Sequence, residues 1–397
     1  MPQRSLSEGT SVPVNAVDQK SESNTGDRAE LWFSELLGQS GITINGSEPY
    51  DPQFHHPDLS RRIFANGSVG IGEGYMEGWW TCDSVDELAS RLMRNKFTTK
   101  LVTSRTKLAF EIIKARVFNY QKISRAFQVG EQHYDTGNDL FEIMLDPTMS
   151  YSCGYWKDAE TLEQAQLNKL DLICRKLKLE KGMTLLDIGS GWGSLAEHAA
   201  RHYGVEVTGI TVSKEQANLA AERCKGLPIK FLLQDYRELV GTYDRIASVG
   251  MFEHVGLKNY GIYMEKCNSL LKDDGLFLLH TIGTNRTHDL IDPWIKKYIF
   301  PNGKLPSVRQ LTEAWEPHFI LEDMHSFGSD YDKTLMAWHH NFETRYHEIS
   351  DNYDERFYRM WSYYLKVCAG SFRARENQLW QMVLAKFARP GRYDSPR

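Results

Sequence analysis

From Thr184 onward, short apolar runs alternate with longer stretches whose apolar residues recur at helical spacing. The runs are TLLDIG (184–189), VEVTGIT (205–211), IKFLLQ (229–234), YDRIASVG (243–250) and GLFLLHTIG (275–283). Strands set roughly 20 to 30 residues apart, with helical stretches between them, build βαβ units and a mostly parallel sheet. Two later runs, HFILEDMHSF (318–327) and QLWQMVLAKF (378–387), predict an antiparallel pair at one edge. The class is therefore α/β. The insertion at 284–317 holds Trp294, Lys296, Lys297, Tyr298, Phe300 and several prolines. It reads as a lid rather than a linker.

The first third of the chain has a different pattern. Residues 29–125 are mostly helical by spacing, interrupted by GSVGIGEGYMEGWW (67–80). Its glycines, next to Tyr75, Trp79 and Trp80, predict tight turns around an aromatic cluster. Ten basic residues then fall between Arg91 and Arg125 (Arg91, Arg94, Lys96, Lys100, Arg105, Lys107, Lys114, Arg116, Lys122, Arg125), with Glu111 the one acid among them. Apolar Leu101, Val102, Leu108, Phe110, Ile112, Ile113, Val117 and Phe118 are interleaved at mostly helical spacing. Two readings stay open: a helix lying on a membrane surface, or a solvated helix covering a small domain. No nucleic-acid reader motif accompanies the charge.

Composition narrows the class further. With 397 residues, 41% hydrophobic and 25% charged, the chain can bury a large core without staples. Its net charge of −5 gives no overall pull toward nucleic acid or anionic lipid. No apolar run approaches the roughly 18 residues of a spanning helix. Residues 1–28 lack the apolar core of a secretory signal and read as a disordered polar tail. The six cysteines are scattered without metal spacing, which predicts free thiols in the cytoplasm. The pairs His55-His56 and His339-His340 sit in no metal-binding frame, so no metal is expected.

The first strand of the sheet ends in LLDIGSGWG, which puts Asp187, Gly189, Gly191 and Gly193 where a doubly wound sheet binds its nucleotide. The spacing G-x-G-x-G differs from the dinucleotide fingerprint, and no Lys-Ser/Thr follows to cradle phosphate. A turn of this kind fits S-adenosylmethionine, whose adenosine carries no phosphate. Gln234, Asp235 and Tyr236 follow the third strand, on the adenine side. No acid ends the second strand, so Thr211 or Gln216 is left to bond the ribose. A nicotinamide cofactor or a purely structural turn remains the competing reading.

Eight segments then occur in order: HYDTGNDLFEIMLDPTMSYSCGYW (133–156), LLDIGSGWG (185–193), ITVSKEQ (210–216), LLQDYR (232–237), SVGMFEHVG (248–256), FLLHTIG (277–283), SFGSDYDKTLMAW (326–338) and CAGSFRARENQLWQ (368–381). Together they resemble the cyclopropane-fatty-acyl-phospholipid synthases, relatives of the mycolic acid cyclopropane synthases. The likeness reaches upstream through GITINGSEPY and GEGYMEGWW.

The resemblance implies a Rossmann-like methyltransferase sheet of seven strands behind a smaller, mostly helical N-terminal domain. It implies methyl transfer from S-adenosylmethionine to a cis double bond in a phospholipid acyl chain, with a bound bicarbonate ion as the base that lets the ring close. Cys153, Glu253, His280, the Ile282 backbone and Tyr331 are the residues that match the bicarbonate cradle. Cys368 stands in a family segment, as an active thiol or as lining of the acyl pocket. Tyr151, Ser152, Asp187, Gly189, Gly191, Gly193, Thr211, Gln216, Gln234, Asp235 and Tyr236 match the cofactor site. Taken without the resemblance, His280 also fits a satisfied core histidine and Cys153 a small buried hydrophobe. One position departs from the family pattern: Ser190 stands where cysteine is usual.

The expected organisation is a tail (1–28), an N-terminal helical lipid-engaging domain (29–126) and a methyltransferase domain (127–397). Its expected setting is the inner face of the membrane, held peripherally from the cytoplasm, with a homodimer implied by the resemblance. The alternatives in view are a methyl-branched product, a small-molecule amine or phenol acceptor, and a non-catalytic lipid-binding protein.

Overall fold

The computed structural model describes residues 31, 33–96, 137–288 and 291–397. The tail 1–28, the basic stretch beyond Lys96, the boundary at 126/127 and residues 133–136 of the first family motif lie outside them.

Residues 33–96 are largely helical. A ribbon of two short antiparallel strands, β1 (Gln53–Phe54) and β2 (Trp80–Thr81), brackets helices α1 (Leu59–Asn66) and α2 (Ser68–Met76), and α3 (Val85–Arg94) follows. Helix α2 corrects the expectation of tight turns in part: SVGIGEGYM is continuous helix, while Gly67 (φ 57°) and Gly78 (φ 74°) turn the chain before and after it. The glycines inside the helix are there for close approach. A Cβ on Gly70 would lie 2.5 Å from the Arg62 carbonyl oxygen, and one on Gly74 would lie 2.7 Å from Leu59. A Cβ on Gly72 would strike the Trp294 indole. Packing this tight offsets the poor helix propensity of glycine. The aromatic cluster does form, with the Tyr75 ring 5.1 Å from Trp80 and 5.3 Å from Tyr363.

Two cations of the basic stretch are engaged internally. Arg91 pairs with Glu87 at 2.9 Å and lies over the Tyr50 ring, and Arg94 donates to the Arg373 carbonyl.

Helices α4 (Asn138–Met144) and α5 (Leu162–Lys176) lead into the sheet. Its strands are β3 (Thr184–Ile188), β4 (Glu206–Thr211), β5 (Ile229–Leu233), β6 (Tyr243–Val249), β7 (Leu271–Thr284), β8 (Ile320–Ser326) and β9 (Asn377–Ala385). They form one seven-stranded sheet in the order β5-β4-β3-β6-β7-β9-β8. The first five run parallel, while β9 is antiparallel to both β7 and β8. All seven runs read from the sequence are strands.

Between them lie α6 (Ser194–Tyr203), α7 (Lys214–Arg223), α8 (Tyr260–Leu270), α9 (Pro293–Tyr298), α10 (Val308–Trp315), α11 (Asp330–Arg345) and α12 (Glu355–Arg373). With both faces covered, the central strands are apolar almost throughout, as parallel sheets require. The order reverses at β3, between β4 and β6, which opens a crevice at the strands' carboxyl ends.

The N-terminal helices share a core with the C-terminal ones: Leu37, Trp80, Val85 and Leu88 belong to one apolar cluster with Trp361, Tyr364 and Leu365. The insertion expected as a lid is pinned to α2. Asp292 caps α9 and Trp294 is fully buried, while Lys297 and Tyr298 donate to Glu73 at 2.5 and 2.7 Å. The other Glu73 oxygen accepts from Arg62. Further along, the Lys304 amide donates to the Glu253 carbonyl at 2.7 Å, so the insertion reaches the carboxyl end of the central strands. No helix among the described residues is long and apolar enough to cross a membrane.

Candidate active site

The crevice at the switch point is a cavity whose floor is the turn after β3. Gly189 has φ 84°, and Gly193, at the start of α6, has φ 86°, both open mainly to glycine. Tyr151, Ser152, Asp187, Gly189, Gly191, Thr211, Gln216, Gln234, Asp235 and Tyr236 all line the cavity. Gly193 does not, which revises its expected role: a Cβ there would lie 2.8 Å from Phe231 and 3.3 Å from Ala220. It lets α6 settle against α7 and β5.

Asp187 is buried at the cavity wall, and its Oδ2 has no hydrogen-bond partner among the described residues. Burial pushes its carboxyl up to about 7, against the charge of Lys169. An orphaned buried carboxylate in a cavity calls for a donor from a ligand. The ammonium and hydroxyls of S-adenosylmethionine are donors of that kind. Thr211 donates to Gln216 at 2.8 Å, so the two residues left to replace the missing acid act as one unit. Asp235 engages both carboxylate oxygens with Arg237, each at 2.7 Å.

The residues matched to the bicarbonate cradle lie beyond the cavity lining. Glu253 sits in a single 3₁₀ turn (Phe252–His254) after β6 and accepts the Ile282 amide at 2.6 Å. The amide expected to face an anion is therefore held by Glu253 itself. The second carboxylate oxygen, Oε2, is buried and unpartnered among the described residues. Burial pushes Glu253 up to about 7, with the Ile282 amide pulling the other way.

His280, in β7, is equally buried. Burial, aided by the charges of Lys169 and Lys176, holds it well below its ordinary value, so the imidazole is neutral. Tyr331, on α11, stacks on Phe372 at 4.5 Å. Burial raises its phenol well above the usual range, and Cys153, Glu253, Tyr151 and Cys368 all lie near enough for their charges to add to the rise. Cys153 is buried with Thr334 3.9 Å from its sulfur, and burial keeps it a thiol. Cys368 is half-buried, and burial raises it to about 12, so neither sulfur is a thiolate at neutral pH.

Two residues that the sequence reading passed over complete the site. Lys169 on α5 is fully buried, lines the cavity and donates to Ser152 Oγ at 2.9 Å. One turn earlier, Gln166 donates to the Ser152 carbonyl at 2.8 Å, so α5 pins the Tyr151–Cys153 segment through both side chain and backbone. Burial brings Lys169 down to about 8, opposed by Asp146. Gln381 on β9 lies beside His280. The visible signal in each case is a polar residue in an otherwise apolar stripe.

The family model for mycolic acid cyclopropane synthetase matches residues 121–382, and this decides the matter. The chain belongs to that family. It is 54% identical over 358 residues to a cyclopropane-fatty-acyl-phospholipid synthase of Escherichia coli, covering 89% of this chain and 94% of the relative. It is 30% identical to a tuberculostearic acid methyltransferase of Mycobacterium tuberculosis, covering 89% and 88%. Among solved structures, a mycolic acid cyclopropane synthase complexed with SAH and CTAB matches with a TM-score of 0.62 and 34% identity, over 66% of this chain and 98% of that one. The fold and family are those of the S-adenosylmethionine-dependent methyltransferases.

Proposed function

We propose that the protein transfers the methyl of S-adenosylmethionine to a cis double bond in a membrane phospholipid and closes a cyclopropane ring there. The observation that carries this reading is a pair of buried atoms, Glu253 Oε2 and His280 Nε2, that have no partner among the described residues and lie at the carboxyl end of a methyltransferase sheet. Polar atoms orphaned in this way fit a small polar anion with both donors and acceptors.

S-adenosylmethionine, when bound, supplies an electrophilic methyl; Asp187, Gln216 and Tyr236 are the residues that hold it. Bicarbonate, when bound, supplies the base. An alkene is a poor nucleophile, so the chain must hold it in line with the methyl and keep water out. Tyr331, Phe372, Tyr151 and Trp338 offer aromatic faces near the site, which stabilise the carbocation left by the attack. One proton must then leave the added methyl. Glu253, poised near neutrality, takes it onward, and neutral His280 orients the anion.

Substrate and setting rest on the N-terminal part. The cations from Lys96 to Arg125 support peripheral attachment to the inner, anionic face of the membrane. A methyl-branched product is the second reading, supported by the relative that acts as a tuberculostearic acid methyltransferase. The full set Cys153, Glu253, His280 and Tyr331 favours ring closure.

The test is transfer of labelled methyl to vesicles of a cis-unsaturated phospholipid. Label in the lipid is expected. Cofactor binding without label in the lipid contradicts the assignment and moves the acceptor to a small molecule.

A further inference from the structure

We propose that Gln381 is a positioning residue that fixes the tautomer of His280, with the ring proton on Nε2, where it donates to the anion of the site. The part that concerns the anion rests on the function proposed above; the tautomer itself does not.

His280 and Gln381 are direct partners in the antiparallel ladder between β7 and β9, so their side chains leave the sheet on the same face. Both are buried, and the Gln381 amide nitrogen lies 3.2 Å from His280 Nδ1. An amide nitrogen only donates. Nδ1 therefore accepts, and a neutral imidazole that accepts at Nδ1 carries its proton on Nε2. Nε2 has no partner among the described residues, so the fixed proton points to a group that those residues do not supply.

The reverse amide orientation is less favourable. It would set the carbonyl against Nδ1–H and leave both amide hydrogens buried without acceptors among the described residues. In the orientation found, one hydrogen and the carbonyl Oε1 are unpaired, and an under-satisfied carbonyl is tolerated better than an orphaned N–H. The charged groups facing the ring come from α5. Lys169 and Lys176 both favour the neutral imidazole, which leaves the tautomer as the one variable to be set. Across Gln381 on the other side, β8 presents His325, whose Nδ1 lies 3.2 Å from Lys176 Nζ rather than bonding the amide.

The experiment is ¹⁵N NMR of the full-length protein labelled at histidine, with His280 assigned through His280→Asn. The wild type is expected to show a neutral ring with a pyrrole-type Nε2 and a pyridine-type Nδ1. Gln381→Glu replaces the donor by an acceptor and is expected to move the proton to Nδ1. Turnover should fall on the order of 10- to 100-fold, the usual effect of losing a group that orients a site residue. S-adenosylmethionine affinity should stay within about twofold of wild type.

Gln381→Met, which keeps the volume and carries no charge, covers the case in which the glutamate variant does not fold. It is expected to populate both tautomers. A proton on Nδ1 in the wild type overturns the proposal, as does a tautomer that ignores Gln381→Met. A swapped tautomer with unchanged turnover overturns the role in the reaction. The expected tautomer together with turnover indifferent to bicarbonate removal supports Gln381's action and contradicts the anion assigned above.

Discussion

Burial acts in opposite senses on Glu253 and His280. It makes the carboxyl hold its proton up to about pH 7 and makes the imidazole give its proton up. For Glu253 the consequence can be measured in stability. The unfolded chain releases this proton near 4.5, the folded chain near 7, so the folded state binds more protons between the two. Stability from this group is full below pH 4.5 and is lost as pH rises to 7. Denaturant unfolding of Glu253→Gln should therefore gain on the wild type between pH 5 and pH 8, on the order of 2 kcal/mol. A constant difference would contradict the buried, unpaired carboxyl. The same variant should lose about 100-fold or more in turnover while binding S-adenosylmethionine normally.

Lys169 makes a second prediction at this scale. Lys169→Met removes the hold on Ser152 and the cation facing Asp187, and calorimetry should show cofactor affinity down about tenfold, with Lys169→Arg recovering part of it. Glu253 was legible because it stands in a motif at a strand end. Lys169 and Gln381 stood out only as polar residues in apolar stripes and their roles were not legible, because each matters through a neighbour that only the folded register supplies: Ser152 across a helix-loop contact, His280 across a ladder.

At the scale of elements, the runs that became strands were legible because a buried parallel sheet leaves long apolar words in the sequence. The glycine-rich stretch turns the chain at Gly67 and Gly78, as expected, but between them it misled for a physical reason. Glycine marks turns, but it also marks places where backbones touch, and α2 has such contacts with α1 and with Trp294. Two helical glycines separate these meanings. Gly72→Ala must displace the Trp294 indole and should cost about 1–3 kcal/mol. Gly261→Ala, on α8 with nothing within 4 Å of the new Cβ, should stabilise by about 0.5–1 kcal/mol. Thermal melts of both variants check the pair; equal shifts would mean that α2 does not press on the insertion. The insertion reads as a lid in sequence because it is long and aromatic. Its Trp294 and its bonds to Glu73 make it a brace between α2 and the Glu253 turn.

For the whole molecule, the proposed function requires that an acyl chain in a bilayer reach a site at the end of a sheet. The net charge of −5 opposes approach to anionic lipid, whereas the segment from Lys96 to Arg125 attracts it locally. Reversing four of its cations (Lys107, Lys114, Arg116 and Lys122, each to Glu) should abolish sedimentation with anionic vesicles and leave cofactor binding unchanged. Persistent binding would assign membrane attachment to another surface. The family likeness, carried by motifs spread over the whole sheet, made the fold and chemistry legible together. How the N-terminal helices share their core with α12 was not, since nothing local records which distant helix a stripe will meet.

The most direct test is the product itself, made by the purified protein from S-adenosylmethionine and cis-unsaturated phospholipid vesicles. The account predicts an acyl chain heavier by one CH₂, without its alkene, carrying the high-field proton signals of a cyclopropane. A heavier chain with a methyl branch and no ring signals would contradict it.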